Sequence, residues 1–203
     1  MRYFIDSANL NDIKNIFNHL PVNGVTTNPT LLSKSNTTLI QLKELNELLN
    51  LQIHIQLQST NAEAMYDEAQ KILAINKNFV IKIPMTDQGL IVHKRLKQQN
   101  VTTNFTLCFS LHQAWLAAHS GADYMSFFIG RTEDHGYNVS EILFDIQSAY
   151  EQYQYKTKII VASIRTIEHI NASIRFGADI ATIPPVLFSK LCKHVLTQNG
   201  LIQ

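Results

Sequence analysis

Short apolar runs recur along the chain, separated by longer stretches in which apolar residues return every three or four positions. The short runs predict eight strands, at 3–5, 24–26, 52–57, 79–83, 101–106, 124–129, 159–162 and 180–183. The longer stretches predict helices over segments such as 38–49, 61–75, 88–98, 111–119, 139–153 and 167–176. Gly121 and Gly177 fall where a helix C-terminal glycine belongs, and each is followed by Ala and Asp ahead of the next strand. Strands that alternate with helices, with few gaps of hairpin size, predict parallel pairing and an α/β fold. A closed (β/α)8 TIM barrel is the expectation. An open doubly wound sheet is the alternative, but the glycine fingerprint it would use for a dinucleotide is absent from the sequence.

Composition narrows this picture. The 203 residues suit one domain over 1–203, close to the lower limit of roughly 200 for the barrel, so loops must be short. Seventeen Lys and Arg against sixteen Asp and Glu leave a formal charge of +1, which offers no basic field for nucleic acid. Cys108 and Cys192 have no metal-ligand spacing and read as reduced core thiols, and the eight histidines show no zinc spacing. The segment Met1-Arg2-Tyr3-Phe4-Ile5-Asp6 enters a strand pattern directly, without a secretory signal, and no apolar stretch is long enough to span a bilayer. The expectation is a cytoplasmic protein with no membrane partner.

Candidate chemistry lies at the strand ends, where barrel enzymes carry their active sites. Lys82 interrupts the run Phe79-Val80-Ile81-Lys82-Ile83-Pro84. Burial disfavours an ammonium and lowers its pKa, and a neutral buried amine is the usual means of forming a Schiff base with a carbonyl. The bland reading is a lysine that snorkels or pairs with a carboxylate. Around it, strand one ends at Asp6, strand two runs into Thr26-Thr27-Asn28-Pro29-Thr30, and strand three carries Gln56 and Gln58. Strand five holds Asn104 and Thr106, strand six leads through Ser126 and Phe128 to Arg131, and strand seven ends at Ser163 with Arg165 beyond. Singly these read as an N-cap at Asp6 or Ser7, a turn at Asn28-Pro29, and a surface ion pair at Arg131. Together, polar ends on seven strands would be costly unless they faced one wet pocket. Two guanidinium forks suit phosphate, so a small phosphorylated carbonyl compound is implied. His135 follows strand six near the expected pocket and has no assigned role.

These residues resemble the transaldolase family, in its small subgroup that includes the fructose-6-phosphate aldolases. The matching segments are Phe4-Ile5-Asp6-Ser7-Ala8-Asn9, Gly24-Val25-Thr26-Thr27-Asn28-Pro29-Thr30, Val80-Ile81-Lys82-Ile83-Pro84-Met85-Thr86, Thr103-Asn104-Phe105-Thr106-Leu107, Gly121-Ala122-Asp123-Tyr124 through Gly130-Arg131, and Ala162-Ser163-Ile164-Arg165. The resemblance implies a barrel of the class I aldolase type that needs neither metal nor organic cofactor. It makes Lys82 the Schiff-base lysine and Asp6 the base that takes the C4 hydroxyl proton. Asn28, Asn104 and Ser126 would hold the dihydroxyacetone unit, and Arg131, Ser163 and Arg165 the distant phosphate. Thr106 and Gln56 would position a water for the proton transfers of imine formation. It also implies sugar-phosphate substrates and a homo-oligomer, pentamer or decamer, although the small members typically continue with a longer C-terminal helix. Phe128 resembles the transaldolases, where the aldolases place tyrosine; Gln56 resembles the aldolases, where transaldolases usually carry glutamate. Transaldolase is the favoured expectation. Release of free dihydroxyacetone, as in an aldolase, is the alternative, and a catalytically inert sugar-phosphate-binding barrel is a third.

Overall fold

The computed structural model describes residues 1–202. Eight parallel strands close into a barrel in sequence order: β1 (Arg2–Asp6), β2 (Gly24–Thr26), β3 (Gln52–Gln56), β4 (Val80–Pro84), β5 (Thr103–Cys108), β6 (Tyr124–Phe128), β7 (Lys158–Ala162) and β8 (Ile180–Ile183), with β8 pairing back onto β1. The closed barrel replaces the doubly wound alternative. Around it run α1 (Leu10–His19), α2 (Pro29–Ser35), α3 (Leu39–Leu49), α4 (Ala62–Ile75), α5 (Asp87–Lys97), α6 (Leu111–His119), α7 (Ile129–Asp134), α8 (Val139–Gln152), α9 (Ile167–Arg175), α10 (Pro185–Leu191) and α11 (Val195–Gly200). None of these helices is long and apolar enough to cross a membrane.

The alternation of side chains along each strand separates two apolar clusters. One face of each strand, with Ile5, Ile53, Ile81, Met125, Val161 and Ala181, joins the inward stripes of the helices in the larger cluster. The opposite face supplies a small inner cluster of Phe4, Val80, Tyr124, Ile160 and Ile180. Two residues further along the same face stand Asp6, Lys82, Ser126, Ala162 and Thr182, so a period of two carries the chain from an apolar plug to a rim that is polar at every one of these positions but Ala162. Gly24 makes the plug possible, since a Cβ there would lie 2.6 Å from the Phe4 ring.

Several polar residues with ordinary sequence readings serve as caps. Asn9, rather than Asp6 or Ser7, caps α1, its Oδ1 accepting from the amides of Asn11 and Asp12. Asn28-Pro29 is not a turn but the start of α2, with Asn28 as N-cap and Pro29 in the first helical position. Thr38 and Gln41 form a capping box on α3. Gly121 and Gly177 adopt φ of +82° and +68°, the left-handed conformation expected after a helix. One expectation fails: Cys108 is buried in the core, but Cys192, after the short α10, is exposed.

Candidate active site

The strand ends open into a cavity of about 480 Å³ lined by residues from all eight strands and the turns that follow them. Asp6, Asn28, Gln56, Lys82, Ser126, Phe128, Arg131 and Ser163 all reach it. Three expected residues stand elsewhere. Asn104 and Thr106 are fully buried in β5, outside the cavity wall. Arg165 is exposed and donates to Asp134 Oδ1 at 2.6 Å. Gln58 and the exposed His135 also lie off the cavity; His135 Nδ1 meets the carbonyl of Arg131 at 2.8 Å.

Lys82 is 5% exposed and donates from Nζ to the carbonyl of Thr27 at 2.8 Å, rather than snorkelling to solvent. Burial lowers its pKa to about 8; the Asp6 carboxylate opposes the shift and the Arg131 guanidinium assists it. Burial likewise raises the Asp6 carboxyl above its ordinary value, against the pull of Lys82, a hydrogen bond from Thr26 and Arg131. An acid and a base are therefore drawn toward neutrality from opposite sides, which suits both to proton exchange near neutral pH.

Asp6 Oδ1 accepts from Thr26 Oγ1 at 3.0 Å, and Thr26 Oγ1 lies 2.6 Å from Thr182 Oγ1. The single Thr26 proton goes to the carboxylate, so Thr182 donates to Thr26 and the two threonines form a short chain that orients Asp6. Thr182 has no counterpart among the residues picked out from the sequence, because it sits inside the apolar run Ile180-Ala181-Thr182-Ile183. The signal that finds it is phase: it shares a face with Ile180, two residues away.

On the other side of the cavity the Arg131 guanidinium lies 4.7 Å from the Phe128 ring centroid, a cation–π contact that holds the charge over the pocket, where an ion pair had been the ordinary expectation. Phe128 in turn packs on Phe109, ring centroids 5.7 Å apart. The helix carrying Arg131 approaches β7 so closely that a Cβ on Gly130 would sit 2.4 Å from the Ser163 carbonyl, which accepts from the Gly130 amide at 3.2 Å. Leu107 and Ser163, both lining the cavity, adopt φ of +60°, a conformation uncommon outside glycine. Leu107 lies where the pairing of β5 with β6 shifts register. Such strain collects at sites where backbone must be re-aimed. Thr106 Oγ1, just before it, is buried without a hydrogen-bond partner among the described residues. Among the described residues no group of three His, Cys, Asp or Glu side chains could hold a metal ion.

The family model described as transaldolase/fructose-6-phosphate aldolase matches residues 3–202. The chain belongs to the transaldolase/fructose-6-phosphate aldolase family. It is 42% identical to a probable transaldolase of Bartonella quintana (strain Toulouse) over 202 residues, covering 99% of this chain and 93% of that protein. It is also 42% identical over 204 residues to a probable transaldolase of Caulobacter sp. (strain K31), covering 100% and 94%. Membership of the transaldolase/fructose-6-phosphate aldolase family makes the chain an enzyme, and its eight-stranded barrel is the fold of that family.

Proposed function

We propose that the protein is a cytoplasmic, homo-oligomeric transaldolase that moves a dihydroxyacetone unit from a ketose phosphate to an aldose phosphate through a Schiff base on Lys82. The observation that carries this reading is the buried Lys82 amine, with its pKa brought down to about 8, in one cavity with Asp6 and Arg131. At pH 7 about a tenth of such an amine is neutral, against roughly 0.03% for an unperturbed lysine.

In the proposed sequence, neutral Lys82 Nζ attacks the C2 carbonyl of the ketose, and the carbinolamine loses water to give a protonated imine. The Asp6 carboxylate takes the C4 hydroxyl proton, the C3–C4 bond breaks, and its electron pair flows into the imine to leave an enamine on Lys82. The aldose phosphate departs. The enamine carbon then attacks the aldehyde of the acceptor, the proton on Asp6 returns to the new hydroxyl, and hydrolysis of the imine frees Lys82. Asn28 caps α2 through Oδ1, so its Nδ2 is left to donate to a substrate hydroxyl. The unpartnered Thr106 hydroxyl and Gln56 suit a water that shuttles protons during imine formation. Arg131 and Ser163 meet the phosphate at the far rim, and Arg165 joins them after leaving Asp134.

Gln56 favours a second reading, release of free dihydroxyacetone as in the aldolases, while Phe128 favours transfer. Phenylalanine carries no proton to quench the enamine, and glutamine accepts none at neutral pH. A long-lived enamine waits for an aldehyde. The test is product analysis with fructose 6-phosphate, with and without erythrose 4-phosphate. Formation of sedoheptulose 7-phosphate faster than free dihydroxyacetone is expected, and Phe128→Tyr should raise the free dihydroxyacetone. The opposite order in the unmutated protein makes it an aldolase.

A further inference from the structure

Beneath the cavity, a single line of hydrogen bonds descends through the barrel. Ser126 Oγ meets Asn104 Oδ1 at 2.9 Å, Asn104 Nδ2 meets His54 Nδ1 at 3.0 Å, His54 Nε2 meets Gln52 Oε1 at 3.2 Å, and the Tyr124 hydroxyl meets that same oxygen at 3.0 Å. His54 is fully buried, clamped edge-on between the rings of Phe4 and Tyr124, with centroids 5.4 and 5.0 Å away. Burial, with Lys82 and Arg2 nearby, holds its imidazole well below the ordinary pKa, so one ring nitrogen donates and the other accepts.

Such a line admits only two proton orders, because each amide and the imidazole must donate at one end and accept at the other. The phenol breaks the tie. Tyr124 is buried, and Gln52 Oε1 is the partner of its hydroxyl among the described residues. With Oε1 facing it, the phenol proton is satisfied and the same oxygen accepts from His54 Nε2–H. Reversing Gln52 would direct Nε2 at both groups and strand the buried phenol proton, which costs about 1–3 kcal/mol. From Gln52 upward each step then follows: Nε2–H donates down, Nδ1 accepts from Asn104 Nδ2, and Asn104 Oδ1 accepts from Ser126.

We propose that His54, in the Nε2–H tautomer, is a positioning residue that fixes this proton order, so that Ser126 spends its proton on Asn104 and presents a lone pair to the cavity. Ser126 then accepts from a substrate hydroxyl and disfavours a group without a proton, such as an ether or fluorine, at that place on the carbon chain. The proton order stands on the barrel interior alone; its consequence for substrate rests on the transaldolase reading. The alternation of β3 puts His54 on the face of Gln52 and Gln56, opposite Ile53 and Ile55, but only its partners show what it does.

The ring nitrogens of His54 report the order directly. In a spectrum of the full ¹⁵N-histidine-labelled protein at pH 7, the resonances missing from His54→Gln belong to His54. A protonated Nε2 with an unprotonated Nδ1 is expected; protonation at Nδ1, or at both, overturns the proposal. His54→Leu should lower kcat/KM for fructose 6-phosphate about tenfold, the loss of about one hydrogen bond's worth of orientation. His54→Gln, whose Oε1 can accept from Asn104 while its Nε2 donates to Gln52, should recover most of it. Equal losses in the two variants would make His54 a packing residue and nothing more. Should His54→Leu fail to fold, the tautomer of the unmutated protein still decides. Borohydride reduction of the unmutated protein with fructose 6-phosphate separates the two questions: the expected tautomer without an adduct sinks the transaldolase reading and leaves the relay in place.

Discussion

Replacing Lys82 with methionine should abolish turnover and make the fold more stable. The lysine amine is brought from its ordinary 10.5 to about 8 by burial, so holding the ammonium in the folded protein at pH 7 is unfavourable by roughly 3 kcal/mol. The sign follows from linkage. Above pH 10.5 the amine is neutral folded and unfolded, and no penalty exists. Between 10.5 and about 8 only the unfolded chain binds the proton, so stability falls as pH falls. Below about 8 the penalty is present in full. Methionine fills the same apolar stem without the charge. Part of the gain is lost again, because Asp6 loses its cation and the Thr27 carbonyl its donor. A net gain of about 1–3 kcal/mol at pH 7 remains, or a rise in Tm of about 2–4 °C per kcal/mol for a domain of this length. Urea unfolding of both proteins at pH 7 and pH 9.5 measures it, the midpoint moving at unchanged m. The variant should lead clearly at pH 7 and by much less at pH 9.5. A variant less stable at pH 7, or a gap that ignores pH, would show that Lys82 is not held against its own charge.

Asp6→Asn separates the two proton chemistries: the neutral side chain no longer raises the Lys82 pKa, so imine trapping at pH 7 should persist, while turnover falls about 10²–10⁴-fold for want of the C4 base. Loss of trapping together with turnover would place Asp6 in imine formation instead. Arg131→Ala and Arg165→Ala should each weaken use of phosphorylated substrates far more than of unphosphorylated analogues, by about 1.5–3 kcal/mol for a charge-assisted bond. The smaller effect is expected at Arg165, which gives up its Asp134 contact to reach the phosphate. Equal losses on both substrate types would assign the arginines to general positioning.

The barrel was legible because buried parallel strands leave near-continuous apolar runs, and the helices between them repeat at three and four. Boundaries blurred where that signal is continuous. The run Phe127-Phe128-Ile129 hides the switch from β6 into α7 at Ile129, and Val101 lies not in β5 but in the turn that follows α5, its amide bonding back to the Leu96 carbonyl. The bulge at Leu107 carries β5 on to Cys108, past the predicted end. Helix α2 was obscured because Asn28-Pro29 reads equally as a turn or as a capped helix start. At the site, a charge that breaks an apolar run announces itself, as Lys82 does. Thr182 does not, and neither does His54, because their meaning comes from partners on strands far apart in sequence: Thr26 is 156 residues from Thr182, and Asn104 is 50 residues from His54. The position of Arg165 outside the cavity is likewise a matter of its partner, Asp134, which no periodicity encodes.

The central claim is a covalent one, that Lys82 carries the substrate carbon chain as an imine. Borohydride reduction of the intact protein with fructose 6-phosphate, followed by mass mapping of the adduct, tests it most directly. A permanent adduct on Lys82 alone, formed faster as pH rises toward about 8 and absent from Lys82→Met, is the predicted result. No adduct, or one spread over surface lysines and unchanged in Lys82→Met, would contradict it.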